Sequence, residues 1–391
     1  MAAVAGGALL AIAGCSAAPP AGSTVAGPVA PAPLTAAQIA ALLPDHVRDG
    51  RAWSEAILNA LAANEIPVEP TSACAVIAII GQESSFQEDP VVPGLARLAR
   101  ARIDRYKSKL GPIGDPLFAR LLAGHAPEDA RSFEQRLDHV RTERDVDVLF
   151  RDLLAYYEVN HPAMFTALRW AGKIVDVGDL AELNPITTAG PMQVSVHFAE
   201  QWARAHKGSA ATSSGVRDAL YTRAGGVYYG TARLLGYPVH YDQPLFRFAD
   251  YNAGFYSSRN AAVQAQVSQL TKIPLALDGD LLAYQKNGEP RDEDSASSRA
   301  VRRFAERFAP RLSERDIRRD LLAEKTLGFE DTETYRAIKA AVQQRAGRPA
   351  EYATLPDVTL ESPKLSRTLS TAWFARAVDR RYEACLARGP R

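Results

Sequence analysis

The sequence predicts a mainly α protein, on three observations. From Leu34 onward apolar residues return at three- and four-residue steps, the period of a helix packed along one side. Cap-forming residues stand before these stretches and glycines stand between them. Alternating runs are few, and residues 173–177 are the best strand candidate.

Taken in order, helices are expected over residues 51–64, 72–82, 128–140, 146–158, 215–235, 299–308, 314–325 and 332–345. Thr71, Ser72, Pro127 and Ser313 read as starts, and Gly50, Gly172 and Gly236 as breaks. Phe374, Val378, Tyr382 and Cys385 recur at helical spacing, so a last helix buries Cys385. Residues 278–298, rich in Asp, Glu, Gly and Ser, read as an exposed loop or a sub-domain boundary.

With 391 residues the chain exceeds one ordinary domain, and its 47% apolar residues supply a sizeable core. The 46 Lys+Arg balance 45 Asp+Glu, so no basic excess exists to neutralise phosphates and nucleic acid is not expected as a partner. No run of 18 apolar residues occurs, which excludes a spanning helix of the usual kind. The His residues are scattered and no His, Cys or carboxylate cluster has ligand spacing, so neither a metal nor an organic cofactor is expected.

The first 44 residues contain no Asp, Glu, Lys, Arg or His. Ala2 to Gly14 form a short apolar stretch ending in Ile12-Ala13-Gly14-Cys15, which resembles the lipobox of bacterial lipoproteins. The resemblance implies a signal peptide over residues 1–15 and lipid on Cys15. It also implies an Ala/Pro/Gly tether over 16–33 and an outer-membrane protein facing the periplasm, held to the membrane by acyl chains. The chain departs from the pattern in lacking Lys or Arg before Arg48. In that oxidising compartment Cys74 and Cys385 remain, either as a disulfide pinning the last helix to the helix of Cys74 or as two buried free thiols.

Residues 72–86 read SACAVIAIIGQESSF. Positions 73–80 are apolar all round, which describes a helix buried on every side. Glu83 follows Ile79 by four and Val76 by seven, so it continues an apolar stripe, while Cys74 faces the opposite side. A carboxyl at the end of such a helix is desolvated and holds its proton toward neutral pH, as a general acid must. The plainer alternative is a helix-terminal Glu turned to water.

Two further segments, AGPMQVS at 189–195 and FADYNAGF at 248–255, complete a pattern. With QESSF they resemble, in order, the three motifs of the lytic transglycosylases of the goose-type lysozyme superfamily. The resemblance implies a lysozyme-like helical domain over 34–277 with a long helical insertion at 89–183, and additional C-terminal helices over 278–391. It implies Glu83 as the one catalytic acid, with Ser84, Gly190, Met192, Gln193, Tyr251 and Asn252 at the substrate cleft. The implied reaction cleaves peptidoglycan glycan strands between N-acetylmuramic acid and N-acetylglucosamine and closes a 1,6-anhydro ring. It is assisted by the sugar's acetamido group rather than a second carboxylate, one of the exceptions to the two-carboxylate rule.

The departures from the pattern carry their own expectations. Pro191 stands where the family has Leu, and Asp250 where it has Ala. Asp250 reads as a solvated helix-face residue or as a second carboxylate that makes the enzyme a hydrolytic muramidase. Glu83 and Gly190 stand 107 positions apart, far more than the family's usual gap. Residues 89–183 therefore form a lid, a flank or a scaffold. Tyr335, within Glu333-Thr334-Tyr335, is weakly similar to a late family tyrosine that approaches the acid. A non-catalytic cell-wall-binding lipoprotein of the same fold is the alternative from another functional class.

Overall fold

The computed structural model describes residues 32–163, 165–166, 184–285, 288–360 and 369–389. Cys15, the leader, the tether up to residue 31, Gly172 and the strand expected at 173–177 lie outside the described residues.

The architecture is mainly helical and is organised by the helix the sequence marks as apolar all round. Before it come α1 (Ala36–Leu42) and α2 (Gly50–Ala63), followed by α3 itself (Pro70–Glu83). Pro70 occupies the first turn of α3, where its missing N–H costs nothing, and Ser72 to Ile80 are buried without interruption. The chain continues through α4 (Leu95–Leu110), α5 (Gly114–Ala123), α6 (Phe133–Asp138) and α7 (Glu143–Asn160). A two-stranded hairpin follows, β1 (Thr188–Ala189) and β2 (Val194–Ser195), paired antiparallel with Thr188 opposite Ser195. Then come α8 (Val196–Lys207), α9 (Ser213–Leu220), α10 (Arg223–Leu235), α11 (Pro244–Ala253) and α12 (Ser257–Thr271). The remaining elements are α13 (Ala296–Phe308), α14 (Glu314–Leu321), α15 (Glu333–Ala346), the short pair β3 (Thr359–Leu360) and β4 (Leu369–Ser370), and α16 (Thr371–Leu386).

Among the described residues two hydrophobic cores result. The first gathers Trp53, Ile57, Ile79, Ile80, Phe133, Met192, Phe248 and Tyr382 around α3. The second gathers Val263, Val267, Phe304, Phe329 and Ile338 between α12, α13 and α15. The final helix α16 returns from the second region to lie along α3, where Cys74 and Cys385 form a disulfide with Cα atoms 5.5 Å apart. The segment from 278 onward is thus shared: its first helices build the second core, and its last helix completes the first.

Several helices differ from the periodicity, each for a local reason. The helix expected at 128–140 shrinks to α6, because Ser132 caps it and accepts from the Gln135 N–H. The stretch 215–235 breaks into α9 and α10 at Thr222, whose hydroxyl accepts from Gly225 N–H and starts a new helix. α14 stops at Leu321, before the 325 expected, and the chain turns so that the Glu324 carboxylate enters the interior. There it accepts from the backbone N–H groups of Leu281 and Leu282, at 2.6 and 2.9 Å. The loop at 278–298 is therefore tied down from within at Leu281 and Leu282, while residues 291–294 are exposed, as expected. Burial pushes the Glu324 carboxyl up to about 7, against the opposing effect of Lys325.

Candidate functional site

Glu83 is the last residue of α3, half-buried at the end of its apolar stripe. Desolvation, and after it the charge of Glu143, pushes its carboxyl up to about 8. The turn that follows is strained: Ser85 and Phe86, neither a glycine, both adopt left-handed backbone at φ 51° and 62°. Packing holds it there, since the Phe86 ring meets Trp53 edge-on at 5.4 Å and the Arg223 guanidinium covers Trp53 at 4.7 Å.

The second motif forms the loop of the β1–β2 hairpin. Gln193 N–H donates to Gly190 C=O at 2.9 Å, which closes a four-residue turn with Pro191 at its second position. That position favours proline and leaves its missing N–H unneeded, so the departure from Leu stiffens the loop at no hydrogen-bond cost. Gly190 has φ +77°, and a Cβ there would lie 1.9 Å from the carbonyl oxygen of Leu220. Met192 is fully buried, and a Cβ on Gly230 would come within 2.2 Å of its sulfur. The hairpin is therefore seated directly on α10.

Gln193 itself sits at φ 49°. Its Oε1 accepts from the Thr188 hydroxyl at 3.0 Å, and its Nε2 donates to Glu143 Oε2 at 3.0 Å. The third motif closes the arrangement: the Tyr251 hydroxyl donates to the Met192 carbonyl at 2.7 Å. Burial first, and the Glu83 carboxyl second, hold the Tyr251 phenol far above its ordinary value, with Arg233 opposing. The three sequence motifs thus converge, and Glu83, Gln193 and Tyr251 share one neighbourhood.

Not every expected contact residue faces that neighbourhood. The Ser84 hydroxyl donates back to Ile80 C=O at 3.2 Å and accepts from Gln87 N–H, so it shapes the turn rather than offering a substrate contact. The Met192 side chain is core, and only its backbone serves the site. Asn252 is exposed, with Thr371 Oγ1 at 3.5 Å from its Oδ1. Tyr335 belongs to the second core beside Phe329, where Glu330 and Arg259 act on its phenol and Glu83 does not.

Asp250, expected on a solvated face or as a second carboxylate, is 1% exposed. Its Oδ2 accepts from Tyr241 at 2.6 Å and Tyr237 at 3.1 Å, and its Oδ1 accepts from Ser258 N–H at 2.7 Å. Since Ser258 lies in the first turn of α12, Asp250 caps that helix from the end of α11. Its oxygens are already committed, so it has the chemistry of a structural cap.

The residue that sequence reasoning passed over is Glu143, within the stretch 89–183. It is the first residue of α7, behind the cap Thr142, and is 7% exposed. One turn later Asp147 is fully buried and bonds Arg217 at 2.6 Å and Asn184 at 2.7 Å. Asn184 and Arg217 in turn hold the backbone of Ile186, which leads into β1. Two acids at i and i+4 beside the buried Val146 were a readable signal of a buried polar face. A polar groove of about 330 Å³ lies nearby, lined among others by Asp89, Arg136, Arg144 and Asp145 but not by Glu83. Among the described residues no group of three or more His, Cys, Asp or Glu could hold a metal ion. Nor is any helix among them long and apolar enough to cross a membrane.

The chain is 35% identical over 344 residues to "Uncharacterized protein YaiW" of Escherichia coli (strain K12), covering 88% of this chain and 87% of that protein. No solved structure matches it. The family described as "Protein of unknown function (DUF1615)" matches residues 46–388, which takes in α2 through α16 with Glu83, Glu143, the hairpin and Tyr251, and the chain belongs to that family.

Proposed function

We propose that this protein is a peptidoglycan lytic transglycosylase with a lysozyme-like catalytic domain over 34–277. In this reading it is anchored through lipid on Cys15 to the outer membrane, facing the periplasm. One observation carries the reading: the three motifs fold together, with the Tyr251 hydroxyl on the Met192 carbonyl of the hairpin that carries Gln193, and with Glu83 close enough to act on the Tyr251 phenol while burial pushes its own carboxyl up to about 8. A carboxyl of that kind is protonated at neutral pH and can donate.

In the proposed reaction the Glu83 proton passes to the glycosidic oxygen between N-acetylmuramic acid and N-acetylglucosamine as the bond to C1 breaks. The acetamido oxygen of the muramic residue attacks C1. Glu83, now a carboxylate, removes the proton of the C6 hydroxyl, whose oxygen displaces the acetamido oxygen and closes the 1,6-anhydro ring. No second carboxylate is needed, in keeping with an Asp250 whose oxygens are already engaged. Residues 89–183 stand in this reading as an insertion that contributes to the cleft.

The test is mass spectrometry of purified sacculi incubated with the full chain and with Glu83→Gln. Muropeptides one water lighter than hydrolytic products, absent with the variant, are expected. Hydrolytic products, or binding to sacculi without any product, overturn the reading in favour of a muramidase or a glycan-binding protein respectively.

A further inference from the structure

We propose that α4 and the turn after it form a docking face for an anionic lipid bilayer. A row of unpaired cations meets the lipid phosphates, and the apolar side chains of Leu110 and Ile113 enter the headgroup boundary. The inference is independent of the enzymatic reading and gives one helix of the 89–183 stretch a partner.

The chain as a whole carries a charge of +1, yet α4 alone holds Arg97, Arg100, Arg102, Arg105, Lys107 and Lys109 against the single acid Asp104. Two of these cations are engaged within the fold. Arg100 reaches Asp138 and Glu134 of α6, and Lys107 lies 3.7 Å from Asp104 and 3.4 Å from Asp115. Arg97, Arg102, Arg105 and Lys109 are exposed, and among the described residues no acid pairs with any of them. Arg102, Arg105 and Lys109 stand at i, i+3 and i+7, which places them on one helix face along about 10 Å. Like charges at those spacings oppose the helix, and an outside counter-charge relieves them.

The inner side of α4 explains why this face is open. Ala96, Ala99 and Ile103 pack against the first core, and Leu95 alone of its 16 residues is buried. The helix then ends in an exposed apolar turn. Leu110 is 41% and Ile113 63% exposed, with Pro112 between them and Gly111 turning the chain at φ 58°. A single exposed leucine is ordinary, but two apolar side chains on a tight turn beside Lys107 and Lys109 form an amphipathic edge. Asp115 is the acid at this edge, and its contact with Lys107 offsets its charge. That combination selects the partner. A soluble polyanion would take the cations and leave Leu110 and Ile113 in water, whereas a bilayer offers phosphates to the first and an acyl boundary just beneath to the second.

The experiment is vesicle co-sedimentation of the full chain carrying Cys15→Ser, so that no acyl chain contributes. Vesicles of phosphatidylcholine alone are compared with an equimolar mixture of phosphatidylcholine and phosphatidylglycerol. Partitioning onto the anionic vesicles is expected to be about tenfold stronger or more, and to weaken as salt rises. Arg102→Gln, Arg105→Gln and Lys109→Gln together lower it by about tenfold or more. Arg336→Gln, Arg345→Gln and Arg348→Gln, an equal loss of charge at exposed positions in and just after α15, leave it unchanged. Leu110→Ser with Ile113→Ser lowers it by about three- to tenfold. Equal binding to both vesicle types, or unchanged partitioning in the α4 Gln variant, overturns the proposal. So does a double Ser variant that binds as its parent does, because the cations then serve a soluble polyanion rather than a bilayer. All five substituted positions of the face are exposed, and circular dichroism checks the fold. Should a variant not fold, the two vesicle types and the salt series on the unsubstituted face decide. No glycan is present, so the outcome stands apart from that of the transglycosylase reading.

Discussion

The hydroxyl of Tyr251 donates to the main-chain carbonyl of Met192 over 2.7 Å, so the end of α11 holds the hairpin loop from behind. The buried Met192 side chain wedges against Gly230, and its carbonyl is left to face Tyr251. Replacing Tyr251 by Phe removes one hydrogen bond and leaves that carbonyl unpaired, which costs about 1–3 kcal/mol. The expected result is a lower urea midpoint together with slower glycan cleavage. An unaltered variant would show that the bond positions nothing.

Glu83→Gln removes the proton donor while keeping the size of the side chain. On the proposed mechanism, turnover of sacculi falls by about 10²–10⁴-fold or more. The thermal midpoint at pH 7 stays level or rises, since the amide is neutral in both states whereas the acid, ionised in the unfolded chain at pH 7, takes up a proton to fold. Residual turnover at the wild-type rate assigns the chemistry to another group.

The same substitution has a pH signature in stability. The folded state holds the Glu83 carboxyl near 8, above its ordinary value of 4.5, so the folded chain binds the proton more tightly than the unfolded one. The stabilising contribution of the protonated group is therefore full below 4.5, declines as pH rises, and is gone above about 8. The difference in unfolding free energy between wild type and Glu83→Gln should slope only inside that window. Urea titrations at pH 4, 6, 8 and 9.5 measure it.

Asp250→Ala tests the cap reading. It strands two half-buried tyrosine hydroxyls and the buried Ser258 N–H, for an expected loss of about 1–3 kcal/mol per stranded group, partly relieved by solvent and repacking. Activity per folded molecule should stay within a few-fold of wild type. A stable variant that had lost turnover would return Asp250 to the chemistry.

Gly190→Ala places a Cβ against the Leu220 carbonyl in a backbone conformation that alanine avoids. A loss of more than about 1 kcal/mol is expected, along with a Gln193 no longer aligned on Glu143. Circular dichroism melts combined with glycan cleavage per folded molecule distinguish displacement of the loop from global unfolding.

Reduction of the Cys74–Cys385 bond releases α16 from α3. A disulfide spanning 311 residues is expected to contribute about 2–5 kcal/mol. Denaturant unfolding with and without reductant reads that difference, and a midpoint indifferent to reductant would show that packing of α16 alone suffices.

Much of this was legible because local rules were strong where they applied. The all-apolar run 73–80 is a buried helix with Glu83 at its end, and Phe374, Val378, Tyr382 and Cys385 do line the buried face of α16. Boundaries slipped where a side chain overrode periodicity, as the Thr222 cap does between α9 and α10 and the inward Glu324 does after α14. Ser84 and Met192 were expected to meet substrate, whereas the Ser84 hydroxyl closes the turn after α3 and the Met192 side chain fills the core. A motif marks which residues lie near a site, and only packing decides whether the side chain or the backbone faces it.

By itself the sequence determined the mainly α class, the helix that becomes the centre of the first core and the carboxyl at its end. These follow from composition and spacing within about fifteen residues, the range over which periodicity acts. Tertiary structure alone decided that Asp250 is a helix cap and that Glu143, sixty residues beyond Glu83, accepts from the motif residue Gln193. The physical reason is that a carboxyl's role depends on its neighbours, on desolvation and on who donates to it. Those neighbours come from α7, the hairpin and α11, which only the folded chain brings together.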